Sequence, residues 1–396
     1  MSIKTIDQVD VASKTVLIRV DYNVPYDENM HITDDTRLFS TFPTIEYCLK
    51  RGAKILLISH MGRPKGKVVP SMSLRPIAAH LSELLKQNVE FLSLPIGGSE
   101  LLEKVKTMKA GDIYLLENIR FYPGEESNDD EFGKQLAALA DVFINDAFAA
   151  AHNDHCSNHA ITQFMDVCAA GFLLRDEIEF FKKAMTSADH PICAIVGGAK
   201  VSSKLDALYN IINRVDFIII GGGMAFTFLK ALGYNVGKSI LEENLVDTAK
   251  IIMENAKKNN VTILLPTDIL TVKEFKNDAP SEIVKVSEIK DDQIGVDIGP
   301  DTIALFTEKI KEAKSVIWNG PMGAFEMPNF ANGTNAVTKA LAASSCLSLV
   351  GGGDSVAAVN QIGLQDKVSY LSTGGGAFLK LLEGKILPAI EALDKY

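Results

Sequence analysis

From end to end the chain alternates short, nearly continuous apolar runs with amphipathic stretches. In the first half the runs Val16-Leu17-Ile18-Arg19-Val20, Ile55-Leu56-Leu57-Ile58, Ile113-Tyr114-Leu115-Leu116 and Val142-Phe143-Ile144 give way to polar or charged residues: Asp21 and Asn23, Ser59 and His60, Glu117 and Asn118, Asn145 and Asp146. In the second half the runs Ala194-Ile195-Val196, Ile218-Ile219-Ile220 and Leu347-Ser348-Leu349-Val350 end directly in glycines, and Tyr370-Leu371 does so after Ser372-Thr373. Strands this apolar, separated by helical patterns, belong to parallel sheets covered on both faces, whose ligands lie beyond the carboxyl ends of the strands. Between the halves, Leu174, Ile178, Phe181 and Met185 recur at helical steps, which predicts a connecting helix over 173–186. The fold class read from the pattern is α/β: two Rossmann-like three-layer α/β/α domains with parallel sheets, covering 1–172 and 187–385 and joined by a hinge helix.

Length supports two cores, because 396 residues exceed what one usually serves. The net charge of −10 argues against nucleic acid as a partner. Five widely spaced cysteines without a Cys-x-x-Cys do not form a disulfide framework, which fits a reducing cytoplasm. The N-terminus lacks an apolar signal core and no run approaches a membrane span, so a cytoplasmic protein without a membrane partner is expected.

Of 29 glycines, nine precede residue 187 and twenty follow it, so the glycine turns belong to the second half. A strand that stops in glycine and continues as a helix gathers bare N–H groups and a helix N-terminus at one point, where phosphate is stabilised. In Gly197-Gly198-Ala199-Lys200-Val201-Ser202-Ser203-Lys204 the two lysines stand four apart and are expected on one face of a helix beginning there. Gly351-Gly352-Gly353-Asp354-Ser355 offers amides for phosphate, a carboxylate for Mg²⁺ and a hydroxyl, although an aspartate after glycines also serves as an N-cap. Asn319, Gly320 and Pro321, after another apolar run, offer an amide and an apolar wall to a base or ribose. Gly233 to Ser239 is one residue short of a P-loop, and no glycine cluster spells Gly-x-Gly-x-x-Gly, which disfavours a nicotinamide dehydrogenase.

The first half offers the opposite chemistry. Arg37, His60, Arg63 and Arg120, with Asp21 and Asn23 among them, form a local basic excess in an acidic chain and point to an anionic substrate. Surface ion pairs are the alternative for any one of these arginines. Three histidines and a cysteine between His152 and His159 invite a zinc reading, but neither Cys-x-x-Cys nor His-Glu-x-x-His accompanies them, and polar loop residues are the better reading.

In this order, Arg19-Val20-Asp21-Tyr22-Asn23-Val24-Pro25, Ser59-His60-Met61-Gly62-Arg63-Pro64, Leu116-Glu117-Asn118-Ile119-Arg120-Phe121, Asn145-Asp146-Ala147-Phe148, Gly221-Gly222-Gly223-Met224-Ala225-Phe226, Trp318-Asn319-Gly320-Pro321 and Ser372-Thr373-Gly374-Gly375-Gly376, with the 197–204 and 351–355 segments, resemble the phosphoglycerate kinase family over essentially the whole chain. The resemblance implies reversible, Mg²⁺-dependent transfer between 1,3-bisphosphoglycerate and ADP, giving 3-phosphoglycerate and ATP. It also implies a monomer and a tail, 386–396, that packs back on the first domain. It places Asp21, Asn23, Arg37, His60, Arg63 and Arg120 at the phosphoglycerate site. Lys204, Gly221, Gly295, Asn319, Pro321, Glu326, Gly352, Gly353, Asp354 and Ser355 fall at the nucleotide site, with Glu326 on the ribose and Asp354 on the metal. Arg37, Lys200 and the amides at Gly353 and Gly375 would serve the transferring group. One position departs: the family arginine on the substrate phosphate is replaced here by Asn153. A charged hydrogen bond contributes about 1.5–3 kcal/mol, so its loss is expected to weaken phosphoglycerate binding by about one to two orders of magnitude. A degenerate kinase kept for binding, or an acyl kinase for another carboxylate, are the competing readings.

Overall fold

The computed structural model describes residues 3–186 and 189–396. Backbone contacts divide the chain into two compact units, one of residues up to Ile178 together with Ile386–Tyr396, the other Glu179–Lys385. The first unit is built on β1 (Thr15–Val20), β2 (Lys54–Ile58), β3 (Val89–Leu92), β4 (Ile113–Leu116), β5 (Val142–Asp146) and β6 (Cys168–Ala170). These form one parallel sheet in the order β3-β4-β2-β1-β5-β6. Every residue of β1 is buried, as a central strand covered on both faces requires. Its alternate residues Val16, Ile18 and Val20 share a core with Ile45 and Cys48 of helix Phe42–Leu49 and with Ile77 and Leu81 of helix Arg75–Leu85.

The second unit repeats the plan with β7 (Ile192–Val196), β8 (Phe217–Ile220), β9 (Thr262–Leu264), β13 (Ser315–Asn319), β14 (Leu347–Val350) and β15 (Tyr370–Leu371), parallel in the order β15-β14-β13-β7-β8-β9. Trp318, wholly buried, packs in its core with Phe306, Ile310, Val337 and Leu341 of the helices Pro300–Glu312 and Asn332–Ala343. A small antiparallel sheet, β10 (Asp268–Val272) between β11 (Ser281–Lys285) and β12 (Ile294–Ile298), has no counterpart in the sequence reading. Only Val284 of β11 is buried, so that strand carries almost no apolar signal. The α/β class with two parallel sheets is nevertheless the one expected.

A helix does occupy the predicted connecting segment, at Phe172–Met185. Its start is held from two elements of the first unit: Leu174 N donates to Asp146 Oδ1, at the buried end of β5, at 3.2 Å, and Phe172 N donates to Thr44 Oγ1, on the helix Phe42–Leu49, at 2.9 Å. The last helix, Pro388–Leu393, lies against the first unit, where Ala389 N donates to Ala151 O at 3.2 Å and the Tyr396 hydroxyl donates to Thr162 O. Among the described residues no helix is long and apolar enough to cross a membrane.

Asp146 generates a prediction about pH. It is fully buried, its Oδ2 has no hydrogen-bond partner, and burial lifts its carboxyl to about 7 against hydrogen bonds from Thr44, Leu174 and Leu173. The folded-state value lies above the ordinary 3.8, so this group's stabilisation is complete below that pH and is lost as pH rises through about 7. Asp146→Asn removes the ionisation, and its melting temperature relative to the unsubstituted protein should rise from pH 4 to pH 7 by on the order of 3 °C. A difference constant across that range in thermal scans contradicts the assignment.

Candidate functional site

At the carboxyl ends of β1, β2 and β4 the first unit assembles its charged residues around Asp21. Arg37, on the short helix Thr36–Phe39, donates from Nη1 to Asp21 Oδ2 at 3.0 Å and to Asn23 O at 3.1 Å. Burial opposes ionisation of Asp21, but the guanidiniums of Arg37 and Arg19 and a hydrogen bond from Asn23 N favour it, and the carboxyl lies below its ordinary value. Asn23 Oδ1 accepts from Gly62 N at 2.9 Å, pinning a turn in which Gly62 has φ +60°. The carbonyl of Gly62 in turn accepts from Arg120 Nη1 at 2.8 Å. Arg63, next in the chain, is exposed and close enough to Arg120 for the two charges to repel. Thus Asp21, Asn23, Arg37, His60 and Arg120 form one bonded or contacting cluster, with Arg63 at its edge.

Asn153 does not join it. Its Nδ2 donates to Ala150 O at 3.2 Å and its carbonyl accepts from Asn158 Nδ2, so the side chain folds back on its own turn. One member was missed: Arg19, wholly buried within β1, whose Nη2 lies 3.2 Å from His60 Nδ1. A lone arginine inside an apolar strand was the available signal.

In the second unit the ends of β7, β8 and β13 meet backbone against backbone. Gly197 N donates to Asn319 O at 3.0 Å, Gly198 N to Pro321 O at 3.1 Å, Gly222 N to Met322 O at 2.9 Å and Met224 N to Gly198 O at 3.0 Å. Beside this junction lies a mostly apolar cavity of about 240 Å³, walled by Gly223, Phe226, Ile240, Phe275, Gly295 and Pro321, with Glu326 and Asp354 at its rim. Such a lining suits a flat aromatic base, and the rim carboxylates suit a hydroxyl or a cation. Lys204 Nζ donates to Asn319 Oδ1, while Asn319 Nδ2 donates to Gly351 O at 2.7 Å. Burial holds the Lys204 ammonium below its ordinary value against the pull of Asp354 and Glu383. Gly352, at φ +93°, caps the helix Gly353–Gln361, and Gly375, at φ +45°, precedes the helix Gly376–Leu382.

Three expectations are corrected here. The helix after Gly198 begins only at Leu205, so Lys200 and Lys204 do not share a helical face. The intervening segment turns over the buried Val201, leaving Lys200 exposed and Lys204 in the N-cap position. Gly221 does not line the cavity, because it packs on Met322, and Gly222 and Gly223 take that place. The Ser355 hydroxyl is buried and accepts from Gly320 N at 2.6 Å, so it shapes the turn after β13 and does not line the cavity.

What both sets of strand ends present is charge and bare amide arranged for phosphate, the equipment of a two-unit α/β phosphotransferase. The family model described as Phosphoglycerate kinase matches residues 6–385. Relatives bearing that name include those of Geotalea daltonii, 50% identical over 100% of this chain and 99% of its own, and Dictyoglomus turgidum, 51% identical over 97% and 96%. Among solved structures, phosphoglycerate kinase from Coxiella burnetii superposes with a TM-score of 0.92 at 38% identity, covering 100% of this chain and 99% of that one. The one from Pyrococcus horikoshii gives 0.85 at 31%, covering 99% and 98%. The chain belongs to the phosphoglycerate kinase family and is an enzyme of the kinase class.

The backbone junction is testable directly. A Cβ at Gly222 stands 2.7 Å from Gly198 N and O and 2.8 Å from Pro321 O, in a φ of +68°. None of these backbone atoms can swing aside, so Gly222→Ala should destabilise the protein by about 2–4 kcal/mol in urea unfolding. A loss under half a kcal/mol contradicts this picture of the junction.

Proposed function

We propose that the chain catalyses reversible phosphoryl transfer between 1,3-bisphosphoglycerate and ADP, yielding 3-phosphoglycerate and ATP. The observation that carries this reading is the pairing, in one chain, of an arginine-built anion cradle in the first unit with a glycine-lined apolar cavity in the second. In this reading Asp21, Asn23, Arg37, His60, Arg63 and Arg120 hold phosphoglycerate. Gly295, Pro321 and Glu326 hold the base and ribose, while Lys204, Gly352, Gly353 and Asp354 hold the nucleotide phosphates. Asn319 acts beneath them by fixing Lys204 and Gly351.

No protein nucleophile is required, because a carboxylate oxygen of the substrate attacks or leaves. Catalysis is then alignment and charge stabilisation of a loose transition state. Arg37, immobilised by Asp21, stands ready to neutralise the moving group, and exposed Lys200 is free to follow it. The amides at Gly353 and Gly375 supply further donors. Asp354 is the fitting ligand for Mg²⁺: its carboxylate is exposed at the cavity rim and makes no hydrogen bond among the described residues. The ion would neutralise charge on the nucleotide phosphates. Acceptor and donor are held by different units, so transfer requires them to close and exclude water, with the helix Phe172–Met185 as hinge. The resemblance further supports a cytoplasmic monomer working in glycolysis.

The test is ATP-dependent phosphorylation of 3-phosphoglycerate in a coupled assay. Arg37→Ala should lower kcat by about a thousandfold, within the range for a charge-neutralising arginine, and Lys200→Ala by at least about tenfold. A folded but inactive protein would favour the binding reading, and turnover of acetate or carbamate instead would favour another acyl kinase. Asn153→Arg should lower the Kd for 3-phosphoglycerate by about tenfold or more in calorimetry. An unchanged Kd means that position 153 lies outside phosphate reach.

A further inference from the structure

Beneath the anion cradle runs a chain of buried polar groups that phosphoryl transfer does not itself explain. Glu125, wholly buried, accepts from Ser157 twice, from the backbone N at 2.9 Å and from Oγ at 2.7 Å. Ser157 Oγ accepts from Arg19 Nε at 3.0 Å, Arg19 Nη1 donates to Val20 O, and Arg19 Nη2 lies 3.2 Å from His60 Nδ1. The guanidinium has donors only and stays charged, so a contact of this length requires a lone pair on Nδ1. The nearest carboxylate oxygen, Asp21 Oδ1, is 3.8 Å from Nδ1, too far to accept a proton held there.

We infer that Arg19 is a positioning residue for the proposed kinase reaction: by donating to Nδ1 it holds His60 as the neutral ring protonated at Nε2, with that N–H directed to the anionic substrate. The inference rests on the phosphoglycerate reading for the identity of that anion, but the tautomer itself does not depend on it. Nε2 takes part in no hydrogen bond among the described residues, so it is the ring's one uncommitted polar atom. The charged and titratable groups around the ring are Arg19 and Asp21 from β1 and its end, Arg37 from its short helix, Arg120 from the turn after β4, and Glu125 behind Arg19. Burial is the largest influence on the ring and disfavours the imidazolium; Arg19, Arg120 and Arg37 act in the same direction, and only Asp21 opposes them. The arrangement resolves a conflict in the cradle. A further full positive charge beside Arg19, Arg37 and Arg120 would be repelled before substrate arrives, whereas a neutral N–H still binds an anion. It also makes the histidine's contribution to substrate binding independent of pH near neutrality.

The decisive measurement is a long-range ¹H–¹⁵N correlation spectrum of the labelled wild-type protein, with His60 identified by loss of its signals in His60→Gln. The expected result is an unprotonated Nδ1 and a protonated Nε2, unchanged from pH 8 to pH 6. A protonated Nδ1, or a ring that titrates in that range, overturns the inference. A second arm uses Arg19→Met combined with Glu125→Gln, which removes both buried charges together. With Arg19 gone, Nδ1 is free to carry the ring proton, so its ¹⁵N signal should move toward the protonated value and the KM for 3-phosphoglycerate should rise by about threefold with kcat unchanged. A folded double variant whose Nδ1 stays unprotonated, or whose KM is unchanged, overturns the positioning role. If the wild type shows the expected tautomer but does not phosphorylate 3-phosphoglycerate, the functional reading fails and the control of His60 by Arg19 stands.

Discussion

The second unit depends on one constraint: three strand ends must approach so closely that their backbones bond to one another with no side chain between. Gly197, Gly198 and Gly222 meet the segment 319–322 through three short N–H to carbonyl bonds, and Gly320, at φ +105°, packs on Gly197. A Cβ at Gly197 or Gly320 would fall inside the opposing main chain. This junction closes one side of the cavity, aims the loop at Gly351–Gly353 through Asn319, and fixes where Lys204 can rest. Glycine is needed for space at Gly197, Gly222 and Gly320, and at Gly198 for its backbone φ of +107°.

The first unit solves the reverse problem, that of holding positive charge where little water reaches. Burying an unpaired guanidinium is prohibitively unfavourable, so Arg19 is matched by Glu125 and Asp21 and its fork is filled by Ser157, Val20 and His60. Arg37 and Arg120 are likewise tied, to Asp21 and to the carbonyls of Asn23 and Gly62. A cradle preorganised in this way needs little rearrangement to meet an anion, which is how fixed charge becomes effective in a site that excludes water.

Much of this was legible in the chain because long apolar strands ending in glycine or in charge announce both the sheet and its ligand end. The central strands and the cluster around Asp21 follow from that rule. What escaped shows its limits. Strand β11 turns four of its five residues toward solvent and carries no hydrophobic period. The segment from Lys200 to Lys204 has ordinary helical spacing, but the burial of Val201 forces a turn that propensity alone does not reveal. Ser355 looked available for a phosphate until its hydroxyl was found committed to Gly320 N, a partner 35 residues away. Arg19 was overlooked for the opposite reason, since a strand residue is usually read as core. Local pattern reports which groups are present, whereas tertiary contacts decide which remain free.

The final helix has a bearing on the order in which the molecule can be completed. Ala389, Ala392 and Leu393 are buried against the first unit, and Tyr396 reaches the carbonyls of Thr162 and Met165. The whole of Glu179–Lys385 is synthesised between these residues and the sheet they cover. During translation the second unit is therefore complete in sequence before the first one is. The usual sequence, in which the N-terminal domain finishes first, is inverted here. Until residues 386–396 emerge from the ribosome, the edge of the first unit beside β6 stays uncovered, and a nascent chain paused before them exposes that edge to chaperones.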